Sequence, residues 1–110
     1  SEAWGRRAAE AVLRTAPDTD AFFCGNDQIA RGVADTLREK GLDVPGQVAI
    51  VGYDNWDIMA LASRPPLTTI DTDLGEIGRQ AALRLLDAIG AEPQPGLHTV
   101  PCRLVVREST

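Results

Sequence analysis

Two polar clusters each follow an apolar run, and they contain the residues best suited to bind a small molecule. Asn26 and Asp27 follow the run Ala21–Cys24, and Asp54 follows the run Val48–Gly52. A carboxylate accepts hydrogen bonds, and a primary amide both donates and accepts them. Together these groups are suited to a ligand that is rich in hydroxyl groups.

The same three residues also have local structural explanations. Asparagine is favoured in turns, so Asn26 could serve only to form a turn. Asp27 stands directly before a helical pattern and is expected to be its N-cap. Asp54 could bond only to nearby backbone amides. From residue types alone, ligand binding and these local roles both remain open for Asn26 and Asp54, whereas for Asp27 the helix cap is favoured over a place in a binding cleft.

The sequence has no motif that indicates catalysis or metal binding. None of its serines lies in a G-x-S-x-G segment, and no G-x-G-x-x-G or phosphate-binding loop is present. The single histidine, His98, cannot form a zinc site with two distant cysteines. Cys24 and Cys102 lie in apolar segments, so we expect two buried reduced thiols rather than a disulfide. We expect neither an enzyme, nor a metal site, nor another cofactor.

Length and charge restrict the function further. A chain of 110 residues suffices for one compact domain with its own core. Its net charge is −5 and its basic residues are scattered, so it has no basic face for binding nucleic acid. No apolar run approaches the ~20 residues of a membrane helix, and no signal-peptide pattern is present. Because a helical pattern is already under way at Trp4, we expect a piece of a longer chain.

The elements that position the polar clusters follow the order helix, strand, helix, strand. Apolar spacing predicts a helix that ends before Pro17 and a second helix over Asp27–Lys40, with Gly41 placed to terminate it. The two intervening strands are apolar throughout, which is typical of a parallel α/β sheet covered on both faces. Ligands of such sheets bind beyond the carboxyl ends of the strands, where Asn26 and Asp54 lie.

The second half of the chain continues the α/β pattern. We expect a short helix over Trp56–Ala62 and a strand over Leu67–Ile70. A long helix is expected over Asp73–Ile89, because apolar residues recur along it at helical spacing. A final strand is expected over Leu104–Val106.

Four segments in register carry a resemblance to a known family. They are "FFCGNDQIARGVADTLREKGLDVPGQVAIVGYDN", "RPPLTTI", "LGEIGRQAALRLLDAI" and "VPCRLVVREST". Together they resemble the C-terminal part of the effector domain of the lactose/galactose repressor family of bacterial transcription regulators. The resemblance implies an incomplete fragment of a two-lobed, periplasmic-binding-protein-like fold. It also implies a cytoplasmic homodimer that binds a small effector, typically a sugar, between its lobes.

The resemblance assigns expected roles to particular residues. Asn26 and Asp54 match family positions that face the effector cleft, and Thr72 occupies a position where many members carry glutamine. The helix-turn-helix domain of the family is missing from this chain, so operator DNA would be bound only through that missing N-terminal domain. Four apolar residues lie where members contact their partner subunit, with packing into the chain's own core as the alternative: Ile58, Met59, Leu61 and Ala62.

The family also predicts how the chain is divided between the lobes. The chain should cross between lobes near Asp71–Asp73 and again near Val100–Arg103. Residues 1–70 would then belong mainly to the C-terminal lobe, 71–100 to the N-terminal lobe, and 101–110 to the return crossover. The alternative function is a periplasmic sugar-binding receptor with the same fold. An enzyme acting on sugars is less favoured, because no nucleophile or acid–base pair is present.

Overall fold

The computed structural model describes residues 1–90 and 93–110, which divide into two units. Unit 1 comprises Ser1–Asp71 with Arg103–Thr110, and unit 2 comprises Thr72–Cys102. Both boundaries fall within the predicted crossover segments, and the assignment of unit 2 to another lobe stays a prediction. The elements in chain order are α1 (Glu2–Thr15), β1 (Ala21–Phe23), α2 (Asp27–Glu39), β2 (Ala49–Tyr53), α3 (Asp57–Ala60), β3 (Thr68–Asp71), α4 (Leu74–Gly90) and β4 (Arg103–Val105).

Unit 1 contains a four-stranded sheet in the order β1-β2-β3-β4. The first three strands run parallel, with Phe23 opposite Val51 and Val51 opposite Thr68. Strand β4 runs antiparallel to β3. This arrangement confirms the predicted α/β class with a mainly parallel sheet, and it brings the ends of β1 and β2 to the same edge.

Helices α1 and α2 pack at close range through glycine. A Cβ atom at Gly5 would overlap the carbonyl of Ile29, and one at Gly32 would overlap the carbonyl of Glu2. The buried residues of α1 are Gly5 and Ala9. Backbones can approach this closely because neither glycine has a side chain to separate them.

The core of unit 1 lies mainly between α2 and the sheet. Its buried apolar residues include Val33, Leu37 and Ile50 from these elements. Phe23, however, is 72% exposed, so the expectation that both faces of β1 are covered is wrong. The reason is positional: β1 is an edge strand of the described sheet and alternates exposed, half-buried, exposed along its three residues.

The C-terminal residues of unit 1 fasten the start of β2 to β3. Ser109 is fully buried, and its hydroxyl donates to the Ile50 carbonyl at 2.6 Å while accepting from the Thr68 amide at 2.8 Å. The Ile50 amide in turn donates to the Ser109 carbonyl at 2.8 Å. One buried serine therefore satisfies backbone groups of two neighbouring strands, as buried polar groups require.

The two thiols differ in environment. Cys24 is buried and Cys102 is exposed, and both are free. The prediction of two buried thiols is therefore correct for Cys24 and wrong for Cys102. Cys102 directly precedes β4, a strand with exposed residues, so its apolar neighbours in sequence do not imply burial.

Unit 2 consists of α4 and the segment that follows it. The Asp73 side chain accepts a hydrogen bond from the Glu76 amide at 3.2 Å, which caps the helix. Arg79 and Gln80 bond to the Glu76 carboxylate and lower its pKa to about 2. Helix α4 has no buried residues, although it carries many apolar ones. No helix in the described residues is long and apolar enough to cross a membrane.

Candidate ligand-binding site

Strand β2 ends in a sharp turn formed by residues 54–56, which we call the 54–56 loop. The Asp54 amide still donates to the Ile70 carbonyl at 2.9 Å, which is the end of the ladder with β3. Asp54 then has φ of 101° and Asn55 has φ of 52°. Non-glycine residues in this region cost of order 1–3 kcal/mol each unless surrounding contacts hold them. The loop therefore needs support from elsewhere in the chain.

Asn26, and not Asp27, is the N-cap of α2. The Asn26 Oδ1 atom accepts a hydrogen bond from the Ile29 amide at 2.9 Å, and its backbone is extended. The prediction that Asp27 is the cap is wrong by one residue, because Asp27 is already the first residue of the helix. The amide nitrogen of Asn26 takes no part in the cap, so capping and ligand binding are compatible.

Asp27 is instead a buried anchor for the 54–56 loop. Its side chain is 1% exposed, and its Oδ2 atom accepts from the Trp56 amide at 2.7 Å. Its Oδ1 atom accepts from the Thr69 hydroxyl at 2.6 Å. Gly52 makes this position possible, because a Cβ atom there would overlap Asp27 Oδ1. A buried carboxylate is costly unless it is hydrogen-bonded, and both of these oxygens are.

Two further residues hold the loop from β3 and from the C-terminus. The Thr69 hydroxyl accepts from the Asn55 amide at 3.3 Å while it donates to Asp27. The Arg107 guanidinium donates to Asn55 Oδ1 at 2.7 Å and to the Leu67 carbonyl at 2.8 Å. Sequence reasoning missed both roles. Thr69 and Arg107 lie in the segments "RPPLTTI" and "VVREST", which served only as family markers.

The charge of Asp27 affects two neighbouring groups. Partial desolvation, and then repulsion by Asp27, raise the pKa of Asp54 above its ordinary value of 3.8. Burial, with a smaller contribution from Asp27, raises the pKa of Cys24 to about 11. The Cys24 thiol is therefore protonated at neutral pH. The Asp54 carboxylate is held near a like charge, so a hydrogen-bond donor placed against it would stabilise its ionised form.

The predicted cleft residues are distributed over both units. Asn26 and Asp54 belong to unit 1, where they follow the carboxyl ends of the parallel strands β1 and β2. Thr72 is the first residue of unit 2 and is half-buried. Ligand binding by these three residues stays a prediction. Among the described residues, no cluster of histidine, cysteine, aspartate or glutamate could hold a metal ion.

The predicted partner contacts lie on and just after α3, which is shorter than expected. Ile58 is 65% exposed and Leu61 is 50% exposed, and Ala62 is exposed too. Met59 is half-buried, and its sulfur lies 3.8 Å from an Arg31 guanidinium nitrogen. Most of this face is thus available for contact with another molecule, and its role as an interface stays a prediction.

Comparison with known sequences finds a matching domain family and relatives that are transcription regulators. The model of the periplasmic binding protein-like domain matches residues 1–110. The chain is 37% identical over 107 residues to the HTH-type transcriptional repressor CytR of Escherichia coli strain K12, covering 96% of this chain and 31% of that protein. It is 39% identical over 95 residues to the sucrose operon repressor of Shigella flexneri, covering 86% and 28%. The chain spans about a third of the length of these curated relatives.

Solved structures show the same fold. A complex of the transcriptional regulator CelR with cellobiose matches with a TM-score of 0.91 and 34% identity, over 100% of this chain and 34% of that one. The Lac repressor bound to ONPG matches with a TM-score of 0.91 and 32% identity, over 100% and 33%. The chain therefore belongs to the periplasmic binding protein-like domain family, and its similarity to these repressors confirms the lactose/galactose repressor family that its motifs predicted.

Proposed function

We propose that this chain is the ligand-sensing and dimerisation part of a cytoplasmic transcriptional repressor. A small effector, most simply a sugar, binds between two lobes and changes the affinity of the whole homodimer for operator DNA. The DNA contact belongs to an N-terminal helix-turn-helix domain outside the 110 residues. The net charge of −5 agrees with a sensing role for this part rather than a DNA-binding one.

The observation that carries this proposal is the exposed Asp54 carboxylate at the carboxyl end of β2. Its backbone has a positive φ, and contacts from three other parts of the chain hold the next two residues, Asn55 and Trp56. Two vicinal hydroxyl groups of a sugar could both donate to such a carboxylate, and bonds of this charge-assisted kind are among the stronger ones in proteins. Asn26 would add a donor through its amide nitrogen, which takes no part in the helix cap.

Similarity to ligand-bound regulators supports a sugar as the effector. One neighbour was solved with cellobiose. Another, a regulator from Arthrobacter sp. FB24, was solved with lactose and matches with a TM-score of 0.87 and 37% identity, over 96% of this chain and 40% of that one. These sugars are therefore the first candidates to test.

The regulatory step follows from two-state binding. An effector that contacts both lobes favours the lobe arrangement for which its affinity is higher. It can shift the equilibrium between two lobe arrangements only by the difference between its affinities for them. In this proposal Asn26, Asp54 and Thr72 contact the effector. The α3 face of each subunit, formed by Ile58, Met59, Leu61 and Ala62, would contact the partner subunit. It would transmit the change in lobe arrangement to the DNA-binding domains.

A periplasmic sugar-binding receptor is the alternative function for this fold. The relatives reported above are repressors, which favours regulation. The N-terminal sequence of the full-length protein separates the two: a repressor carries a helix-turn-helix domain there, whereas a periplasmic receptor carries a signal peptide.

The proposal is tested on the full-length protein with cellobiose, lactose, sucrose and maltose as probes. We expect at least one of them to raise the melting temperature and to change the affinity for the promoter region of the protein's own gene. If the full-length protein fails to bind any promoter fragment at low salt, the regulatory function is wrong. If it binds DNA but responds to none of these four sugars, the assignment of a sugar effector is wrong.

A further inference from the structure

We propose that Asp27, Thr69 and Arg107 are positioning residues that fix the 54–56 loop so that Asp54 is presented in a single, binding-ready arrangement. This inference rests on the proposed function, because it assumes that Asp54 contacts the effector. None of the three positioning residues needs to touch the effector itself. They act on Asn55 and Trp56, the two residues that follow Asp54.

The 54–56 loop cannot hold its own conformation. Asp54 and Asn55 both have positive φ, although neither is glycine. Such a pair of residues relaxes to other conformations unless outside contacts define each peptide group. In this loop outside contacts do so: the amides of Asn55 and Trp56 donate to Thr69 Oγ1 and Asp27 Oδ2.

The contacts that hold the loop come from three separate parts of the fold. Asp27 opens α2, Thr69 lies in β3, and Arg107 follows β4. The Thr69 hydroxyl stands between the other groups, since it donates to Asp27 Oδ1 and accepts from the Asn55 amide. Removing that hydroxyl leaves a buried carboxylate oxygen and a loop amide without this partner.

Arg107 connects the loop to the C-terminal segment. Its guanidinium donates both to Asn55 Oδ1 and to the Leu67 carbonyl. Its backbone amide donates to the Thr68 hydroxyl at 2.8 Å. A shift of the C-terminal segment would therefore displace Asn55, the residue next to Asp54.

The alternative is that these contacts only stabilise the fold as a whole. Thr69→Val and Thr69→Ser separate the two roles, because valine removes the hydroxyl at similar size and serine keeps it.

The experiment is hydrogen–deuterium exchange on the full-length protein, with peptides that cover the 54–56 loop compared with peptides from α1. In Thr69→Val we expect about tenfold faster exchange in the loop, as the loss of one hydrogen bond of ordinary strength predicts. Exchange in α1 should not change, and Thr69→Ser should match the wild type.

Binding is measured on the same variants with the sugar from the cellobiose, lactose, sucrose and maltose set that binds the wild type. We expect Thr69→Val to weaken binding about tenfold and Thr69→Ser to restore it. Unchanged loop exchange in Thr69→Val, or equal acceleration in the loop and α1, overturns the positioning role. Faster loop exchange with unchanged sugar affinity overturns it too.

An Asp54→Ala variant in the same series distinguishes this failure from failure of the proposed function. If Asp54→Ala binds the sugar normally, the proposed contact is wrong. If Asp54→Ala loses binding and Thr69→Val keeps it, only the positioning role is wrong. If no sugar of the set binds the wild type, the exchange data alone decide whether Thr69 fixes the loop.

Discussion

The Asp27 carboxylate packs directly against Gly52, at the one residue of β2 that has no side chain. Glycine is therefore required at this position of the segment "VAIVGYDN" because the Asp27 carboxylate lies so close to the strand, and not because of an unusual backbone angle. The approach brings Asp27 within hydrogen-bonding distance of the Trp56 amide, 2.7 Å away. The same approach thus determines how the strand ends and where Asp54 is placed.

Gly52→Ala should displace Asp27 and destabilise unit 1. The added methyl group overlaps the carboxylate, and overpacking of this kind typically costs ~1–3 kcal/mol. Gly25→Ala is the matched control, because a Cβ atom there meets open space. Chemical denaturation of both variants provides the measurement. Equal stability of the two variants would contradict the close packing of Asp27 on β2.

Substitution of Asn26 should separate its cap from its predicted ligand contact. Asn26→Ala removes the side chain that accepts from the Ile29 amide, and loss of an N-cap typically costs ~1 kcal/mol. Asn26→Asp keeps a good cap but removes the amide donor. We expect Asn26→Asp to melt near the wild-type temperature and to bind the effector more weakly. Normal effector binding by Asn26→Asp would limit Asn26 to the cap.

The raised pKa of Asp54 predicts a linked effect of pH on stability. Because folding favours the protonated form of Asp54, the stability that this group contributes is present at pH below its unfolded pKa and is lost as pH rises through its folded pKa. At neutral pH the charge is thus unfavourable, and Asp54→Asn should melt at the same or a slightly higher temperature, within ~0.5 kcal/mol. Below pH 3.8 the difference should vanish.

Effector binding should depend on pH in the opposite direction from stability. If the ionised carboxylate accepts the effector hydroxyls, affinity should fall as pH drops through a pKa that is higher than that of an ordinary aspartate. Titration calorimetry from pH 7 down to pH 4 gives the profile, and Asp18→Asn, at an exposed aspartate, is the control.

For the stability prediction, an Asp54→Asn variant that is clearly less stable than the wild type at pH 7 would contradict the expectation that the ionised Asp54 carboxylate destabilises the folded protein.

The α3 face is expected to be part of the dimer interface. Leu61→Glu places a charge on this face and should shift the full-length protein from dimer to monomer in sedimentation experiments. Leu104→Glu is the control, because Leu104 is 55% exposed and Leu61 is 50% exposed. A Leu61→Glu protein that remains fully dimeric would place the interface elsewhere.

Much of the fold followed from local pattern. The order of helices and strands, the cap position of Gly41 and the start of α2 are set by apolar spacing and turn residues that lie close together in sequence. Gly41 has φ of 73°, as its predicted place after the helix requires. The predicted ends of most elements differ from the observed ones by only one or two residues.

The interactions that define the site were harder to predict because they are non-local. Asp27 and Thr69 are 42 residues apart, and Asn55 and Arg107 are 52 residues apart. Sequence periodicity does not reveal such distant pairs. The local pattern around Asp27 therefore predicts only a helix cap. The exposure of Cys102 was missed for a similar reason, since sequence neighbours do not reveal where a strand lies in its sheet.

The measurement that tests the central claim most directly is effector binding by Asp54→Ala in the full-length protein. Loss of the carboxylate removes charge-assisted hydrogen bonds worth ~1.5–3 kcal/mol, which corresponds to roughly tenfold to a hundredfold weaker binding. Melting temperature and operator affinity without effector should stay close to those of the wild type, because Asp54 lies outside the core. Calorimetry with the identified sugar and a gel shift with and without it are the two assays. We expect normal operator binding with a lost effector response. Wild-type sugar affinity in Asp54→Ala would contradict this expectation and would leave Asp54 as a turn residue only.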